Sequence, residues 1–212
     1  MPEASRLYQA ILNGDHKTSA AATREAIEAG YGAMELVSQH MVPAMDEVGR
    51  RFECEDYFVP ELLLSARAMK SALEILRPLL VEQGARSAGR VVVGTVQGDL
   101  HDIGKNIVAA MLEGAGFDVI DLGANVAPQK FVDTILERSP QLVCLSALLT
   151  VTMPSMKTTI EALRAAGVRD SVKVLVGGAP LTAEFAREIG ADGYGENATV
   201  AVALARQLLQ AA

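Results

Sequence analysis

Six consecutive residues, Val91-Val92-Val93-Gly94-Thr95-Val96, carry no charge and are mostly β-branched, which suits a strand buried on both faces. Similar runs recur at 117–122, 142–147 and 173–176, with a weaker one near 191–194. Helical stretches fall between them, near 104–115, 127–138, 154–166 and 180–189, and a last one runs 197–211. Parallel strands need a crossover of about a dozen residues or more, and a helix supplies it. The alternation therefore predicts one parallel sheet with helices on both faces.

The residues before this sheet read as helix. Asp15 and Gly30 have the character of an N-cap and a C-terminal stop around 16–29. Pro43 is expected to start a new helical segment, with Met41, Met45, Val48 and Phe52 along one face. After Pro60, the residues Leu62, Ala66, Met69, Leu73, Leu76 and Leu80 repeat at alternating spacings of four and three, one continuous apolar stripe. Pro78 is expected to end or kink that helix. The small residues of Gly84-Ala85-Arg86-Ser87-Ala88-Gly89 then read as a junction. The expected organisation is a helical bundle over 1–84, a linker over 85–89 and an α/β domain over 90–212.

Composition removes several function classes. Half of the chain is hydrophobic, so it can bury a core and is not a disordered protein. The net charge is −7, and no basic stripe suggests a nucleic-acid partner. Residues 1–84 hold 8 basic against 13 acidic side chains, so most of the acidity falls on the bundle. No apolar run is long enough to span a membrane, and the start of the chain lacks the pattern of a signal peptide, so a cytoplasmic location is expected. Cys54 and Cys144 have no CxxC partner and fit neither a zinc ribbon nor a disulfide framework; Cys54 is expected to be buried or half-exposed and Cys144 core. Glu53, Glu55 and Asp56 read as a solvated cluster, and His16 and His40 as surface residues.

In open parallel sheets, ligands bind beyond the carboxyl ends of the strands, where the strand order switches. The first such loop is Gly98-Asp99-Leu100-His101-Asp102-Ile103-Gly104-Lys105-Asn106. Asp99 can hold one ring nitrogen of His101, which leaves the other as a metal ligand. On these residues alone, Asp99 as a helix cap and His101 as an exposed loop residue are the better explanation. Neither GxGxxG nor a P-loop is present. The third strand ends in Ser146-Ala147-Leu148-Leu149-Thr150-Val151-Thr152, and the fourth in Gly177-Gly178-Ala179. Turn chemistry explains any one of these loops well and the combination poorly.

Asp99-x-His101-x-x-Gly104, followed by Ser146-x-Leu148 and Gly177-Gly178, resembles the signature of the cobalamin-binding domain of methionine synthase, B12-dependent mutases and corrinoid methyltransferase systems. The segment from Phe52 to Ala66 is similar to the helical bundle that caps the upper face of methylcobalamin. This resemblance implies a flavodoxin-like, doubly wound five-stranded sheet preceded by a cap. It implies cobalamin as cofactor, with His101 as lower axial ligand to cobalt and Asp99 and Thr152 completing a relay. Ser146, Leu148, Thr150, Gly177, Gly178 and Ala198 would line the slot for the nucleotide tail. Gly98, Asp102 and Gly104 would lie against the corrin, and Phe52, Val59, Leu62 and Leu63 would shield the methyl group.

The function so implied is that of a corrinoid methyl carrier, a cofactor-bearing subunit rather than a stand-alone enzyme. It would accept a methyl group on Co(I) from a substrate-specific methyltransferase. It would pass the group from methyl-Co(III) to a second methyltransferase dependent on tetrahydrofolate or a thiol, with a reductive activator as a further partner. A cobalamin-dependent sensory regulator shares the layout, but its bundle carries a Trp and it adds a DNA-binding domain; this chain has no Trp. The small subunit of an adenosylcobalamin mutase would not need the cap.

Overall fold

The computed structural model describes residues 3–82 and 87–210, and the chain divides into two compact units. One comprises the residues up to Ala88 together with Ala110–Gly116; the other comprises Gly89–Ala109 and the residues from Phe117 onward. Of the expected linker, residues 85 and 86 lie outside the described residues, as does residue 211 at the expected end of the last helix.

The first unit contains α1 (Glu3–Leu12), α2 (His16–Glu28), α3 (Ala33–Leu36), α4 (Val42–Glu53) and α5 (Val59–Glu82). Asp15 caps α2, its carboxylate accepting from the amides of Lys17 and Thr18 at 3.1 and 3.0 Å. The α1–α2 turn is tight: a Cβ on Gly14 would meet Leu64 Cβ at 2.6 Å, and its φ of +70° suits glycine. Fully buried Leu7, Ile11, Leu36, Met41, Leu62, Met69 and Leu76 form the unit's apolar core.

Pro43 lies in the first turn of α4, where a helical segment is expected to start, but a π-helical turn, Val37–Met41, joins that segment to α3 without a break. A proline lacks its N–H and crowds the carbonyl four residues back. The wider turn accommodates this by letting the Val42 amide donate to Val37, five residues back. Of the two outcomes expected at Pro78, an end to the helix does not occur, since α5 continues to Glu82. An interior proline costs about 3 kcal/mol. Burial of Leu62, Met69 and Leu76 contributes roughly 1.5–3 kcal/mol each and outweighs it.

The second unit holds five parallel strands: β1 (Arg90–Thr95), β2 (Asp118–Asp121), β3 (Leu142–Ser146), β4 (Lys173–Gly177) and β5 (Gly193–Gly195). Their spatial order is β2-β1-β3-β4-β5. The crossovers contain α6 (Ile103–Gly114), α7 (Pro128–Arg138), α8 (Pro154–Ala165) and α9 (Ala183–Ile189), and α10 (Ala198–Gln210) follows β5. Helix α9 starts later than expected because the Thr182 hydroxyl caps it, accepting from the Phe185 amide. One face of the sheet packs Val92, Val143, Leu145, Val174 and Val176 against Phe131, Ile135, Met156, Ile160 and Ile189. Gly94 makes room for this layer, since a Cβ there would meet the Phe131 ring at 2.7 Å. Register pairs Thr95 with Ser146, Ser146 with Gly177 and Gly177 with Gly195, so these strand ends form a row. Between β1 and β3 the chain's direction of winding reverses.

Candidate functional site at the switch point

The reversal brings the β1–α6 loop and the β3–α8 loop together, and one carboxylate joins them. Asp99 is fully buried, whereas the His101 side chain is 48% exposed. Asp99 Oδ1 lies 2.7 Å from His101 Nδ1 and accepts from the His101 amide at 3.0 Å. A carboxylate can only accept, so Nδ1 carries the proton and Nε2 keeps its lone pair. Asp99 Oδ2 accepts from Thr152 Oγ1 at 2.6 Å and from the Leu148 amide at 2.8 Å, with the Leu149 amide further off at 3.4 Å. Thr152 Oγ1 also lies 2.8 Å from the Leu149 carbonyl, but its single proton serves one acceptor at a time.

Burial acts first on this carboxyl and favours its neutral form. The Thr152 hydroxyl, the amides of His101 and Leu148 and the His101 ring outweigh burial and hold Asp99 well below the usual carboxylate range. Asp99 is thus a permanent anion at neutral pH. Helix α6 begins only at Ile103, and its loop uses the carboxylate for the ring and for the β3 loop rather than as a helix cap.

The structure brings Asp99, His101, Thr152 and Leu148 into one hydrogen-bonded group. Gly98 (φ +88°) opens the loop, Asp102 is exposed on it, and Gly104 is exposed in the first turn of α6. A Cβ on Gly104 would meet nothing within 4 Å, so the surface at this glycine is open. Thr150 is exposed, Ser146 half-buried, and Ala198 buried at the start of α10. The paired glycines answer to close backbone approach: a Cβ on Gly178 would lie 1.8 Å from the Ala147 carbonyl oxygen, and one on Gly177 3.0 Å from that of Gly195.

Within the helical unit, Phe52 and Val59 are half-buried and Leu63 is 42% exposed. Leu62 offers no surface, being fully buried, so the shielding role expected of it does not fit its packing. Cys54 also departs from expectation: it is exposed at the end of α4, while Cys144 is buried as expected.

Three contributors escape a reading of the sequence. The Leu148 amide is a main-chain donor and carries no residue-type signal. Buried Thr95, read only as strand, donates its hydroxyl to the His101 carbonyl at 2.9 Å. Asn125, in the loop after β2, accepts from the Gly98 amide at 2.8 Å and donates its own amide to the Asp99 carbonyl at 2.9 Å. An Asn two residues after Gly123 was the available signal, and it is indistinguishable from an ordinary turn.

The fold and site define a doubly wound α/β domain that presents a carboxylate-held imidazole at its switch point. Residues 89–203 match a family model described as a B12 binding domain, and residues 3–77 match a second model with the same description. Trimethylamine corrinoid protein 1 of Methanosarcina acetivorans is 43% identical over 207 residues, covering 97% of this chain and 96% of its own. The dimethylamine corrinoid protein of Methanosarcina barkeri is 45% identical over 176 residues, 82% of this chain and 83% of its own. Among solved structures, a cobalamin-binding protein from Desulfitobacterium hafniense DCB-2 is 32% identical with a TM-score of 0.79, covering 97% of this chain and 98% of that one. The methanol:cobalamin methyltransferase complex MtaBC from Methanosarcina barkeri contains a chain 28% identical with a TM-score of 0.87, covering 99% of this chain and 80% of that one. The protein belongs to the B12-binding corrinoid protein family.

The residues present suit a corrinoid. The imidazole has one nitrogen fixed and one available, and three residues further on the surface at Gly104 is open. Large apolar side chains stand exposed at the start of α6 and on the β3–α8 loop, Ile103 at 71% and Val151 at 80%, where an apolar macrocycle edge would cover them. Among the described residues no cluster of three or more His, Cys, Asp or Glu could hold a metal ion. No helix among the described residues is long and apolar enough to cross a membrane.

Proposed function

We propose that this chain is the methyl-carrying subunit of a corrinoid-dependent methyltransferase system, with His101 as the axial ligand to cobalt. The observation that carries this reading is the His101 ring, held through Nδ1 by a buried anion while Nε2 stays free at the switch point. When bound, the corrinoid supplies a cobalt centre that takes up a methyl group and gives it up again.

The chain's own residues do the rest. Asp99 fixes the tautomer and raises the electron density that His101 offers through Nε2. Thr152 and the Leu148 amide take up part of the carboxylate's charge, so the hydrogen-bonded group sets how firmly the imidazole donates. Phe52, Val59 and Leu63 on the helical unit are apolar and supply neither acid nor base, so activation of the methyl donor falls to a partner enzyme.

The named relatives point to a methylamine as donor class, delivered by a substrate-specific methyltransferase of the kind represented in the methanol complex. A second methyltransferase, using tetrahydrofolate or a thiol, would take the methyl group, and a reductive activator would restore an over-oxidised centre. The test is hydroxocobalamin uptake by the wild-type protein and His101→Ala, followed by electron paramagnetic resonance of the reduced Co(II) form. The wild type should show superhyperfine splitting from one axial nitrogen, and His101→Ala should lose it. Persistence of that splitting in His101→Ala would refute the assignment.

A further inference from the structure

The β3 side of the site is held by Asp99, Thr152 and Leu148, but its β2 side has an equally connected arm. Asn125 sits in the left-handed region at φ +54°, a conformation in which glycine is less strained. Its side chain accepts from the Gly98 amide and its main chain donates to the Asp99 carbonyl, so one residue grips the backbone on both sides of the Gly98–Asp99 link. The segment leading to Asn125 is itself anchored. Gly123 donates its amide to Asp121 Oδ1 at 2.8 Å, and its carbonyl accepts from the Thr95 amide at 3.0 Å.

Asp121 has a further partner in Lys105, whose side chain is only 1% exposed. The Lys105 ammonium contacts Asp121 Oδ2 and lies 2.6 Å from Asn106 Oδ1. A cation in the first turn of a helix opposes the helix dipole. Burial adds to that cost unless the charge is paired. The ion pair therefore joins the start of α6, just after the His101 loop, to the end of β2.

We propose that Asn125, braced by the Lys105–Asp121 pair, is a positioning residue that fixes where the His101 loop presents Nε2. This rests on the reading of His101 as axial ligand. A residue serving only the turn would be replaced by glycine without loss, whereas the positioning role needs the side-chain oxygen. Asn125→Gly and Asn125→Asp separate the two, because aspartate keeps the acceptor and tolerates positive φ. In the full chain, Asn125→Gly should weaken hydroxocobalamin binding about 2- to 10-fold, the range expected for one lost hydrogen bond. It should also lower the fraction of Co(II) protein with axial-nitrogen splitting, and Asp121→Asn should lower the same fraction. Asn125→Asp should restore both readings. Full affinity and full splitting in Asn125→Gly, with splitting lost in His101→Ala, would overturn the role of Asn125 and leave the axial assignment standing. Splitting that survives in His101→Ala would overturn both.

Discussion

Replacing Thr152 with valine removes one hydroxyl and keeps a branched side chain of similar shape beside Gly98, where an added Cβ would lie 3.7 Å from Thr152 Cγ2. Asp99 Oδ2 then loses its 2.6 Å donor and keeps the Leu148 amide at 2.8 Å, while Oδ1 keeps both His101 contacts. A hydrogen bond to a charged group is worth about 1.5–3 kcal/mol, so Thr152→Val should lose that much stability at pH 7. Thr152→Ser, which keeps the hydroxyl, should lose clearly less. The pH dependence identifies the group responsible. Asp99 is held below its ordinary value of 3.8 in the folded protein, so its contribution is complete above that value and is lost as pH falls through the folded one. Thr152→Val moves the folded value back toward 3.8, and the wild-type advantage should hold from pH 7 down to about 4 and shrink only in stronger acid. Urea unfolding of the three proteins across this range is the assay. An advantage that begins to shrink near pH 6 would implicate a histidine instead of Asp99, since an ordinary imidazole titrates at about 6.5. Equal losses in the valine and serine variants would refute the hydrogen-bond argument altogether.

Gly178→Ala should be severe, because its Cβ would collide with the Ala147 carbonyl oxygen and its φ of +143° disfavours any side chain; thermal melting should fall by several degrees and hydroxocobalamin binding should drop with it. Burial pushes the Cys144 thiol up to about 12, whereas Cys54 is exposed. A thiol reagent at mildly alkaline pH should therefore label one cysteine per folded chain and two in urea, and rapid double labelling of folded protein would contradict the core placement of Cys144.

How much of this was legible in sequence depended on which atoms do the work. Strands β1, β3 and β4 declare themselves because burial on both faces demands unbroken β-branched or apolar residues. Strand β5 is Gly193-Tyr194-Gly195, held in place by pairing with β4, and its signal is correspondingly faint. Asp99, His101 and Thr152 are visible because their side chains make the contacts. The Leu148 amide and the Gly98 and Asp99 backbone groups are invisible, since every residue type has them. Asn125 hides for another reason: the features that suit it to its site also suit an ordinary turn. The prolines were legible only in part, because local propensity omits what packing can outweigh and what a wider π turn can absorb.

The sharing of Asp99 between loops also bears on when the site comes into being during folding. Its Oδ2 partners lie 49 to 53 residues further along the chain, beyond β2 and α7 and across β3. Closing so long a loop has an entropic cost that is recovered only after β3 docks beside β1. Until then the carboxylate has only the His101 amide and ring as donors, and Oδ2 has no partner from β3 to draw it into the interior. The histidine's orientation is therefore a late product of assembly, and a chain synthesised only as far as α7 has every residue of the first loop but no formed site. Competence to hold cofactor becomes a report on whether the sheet is complete.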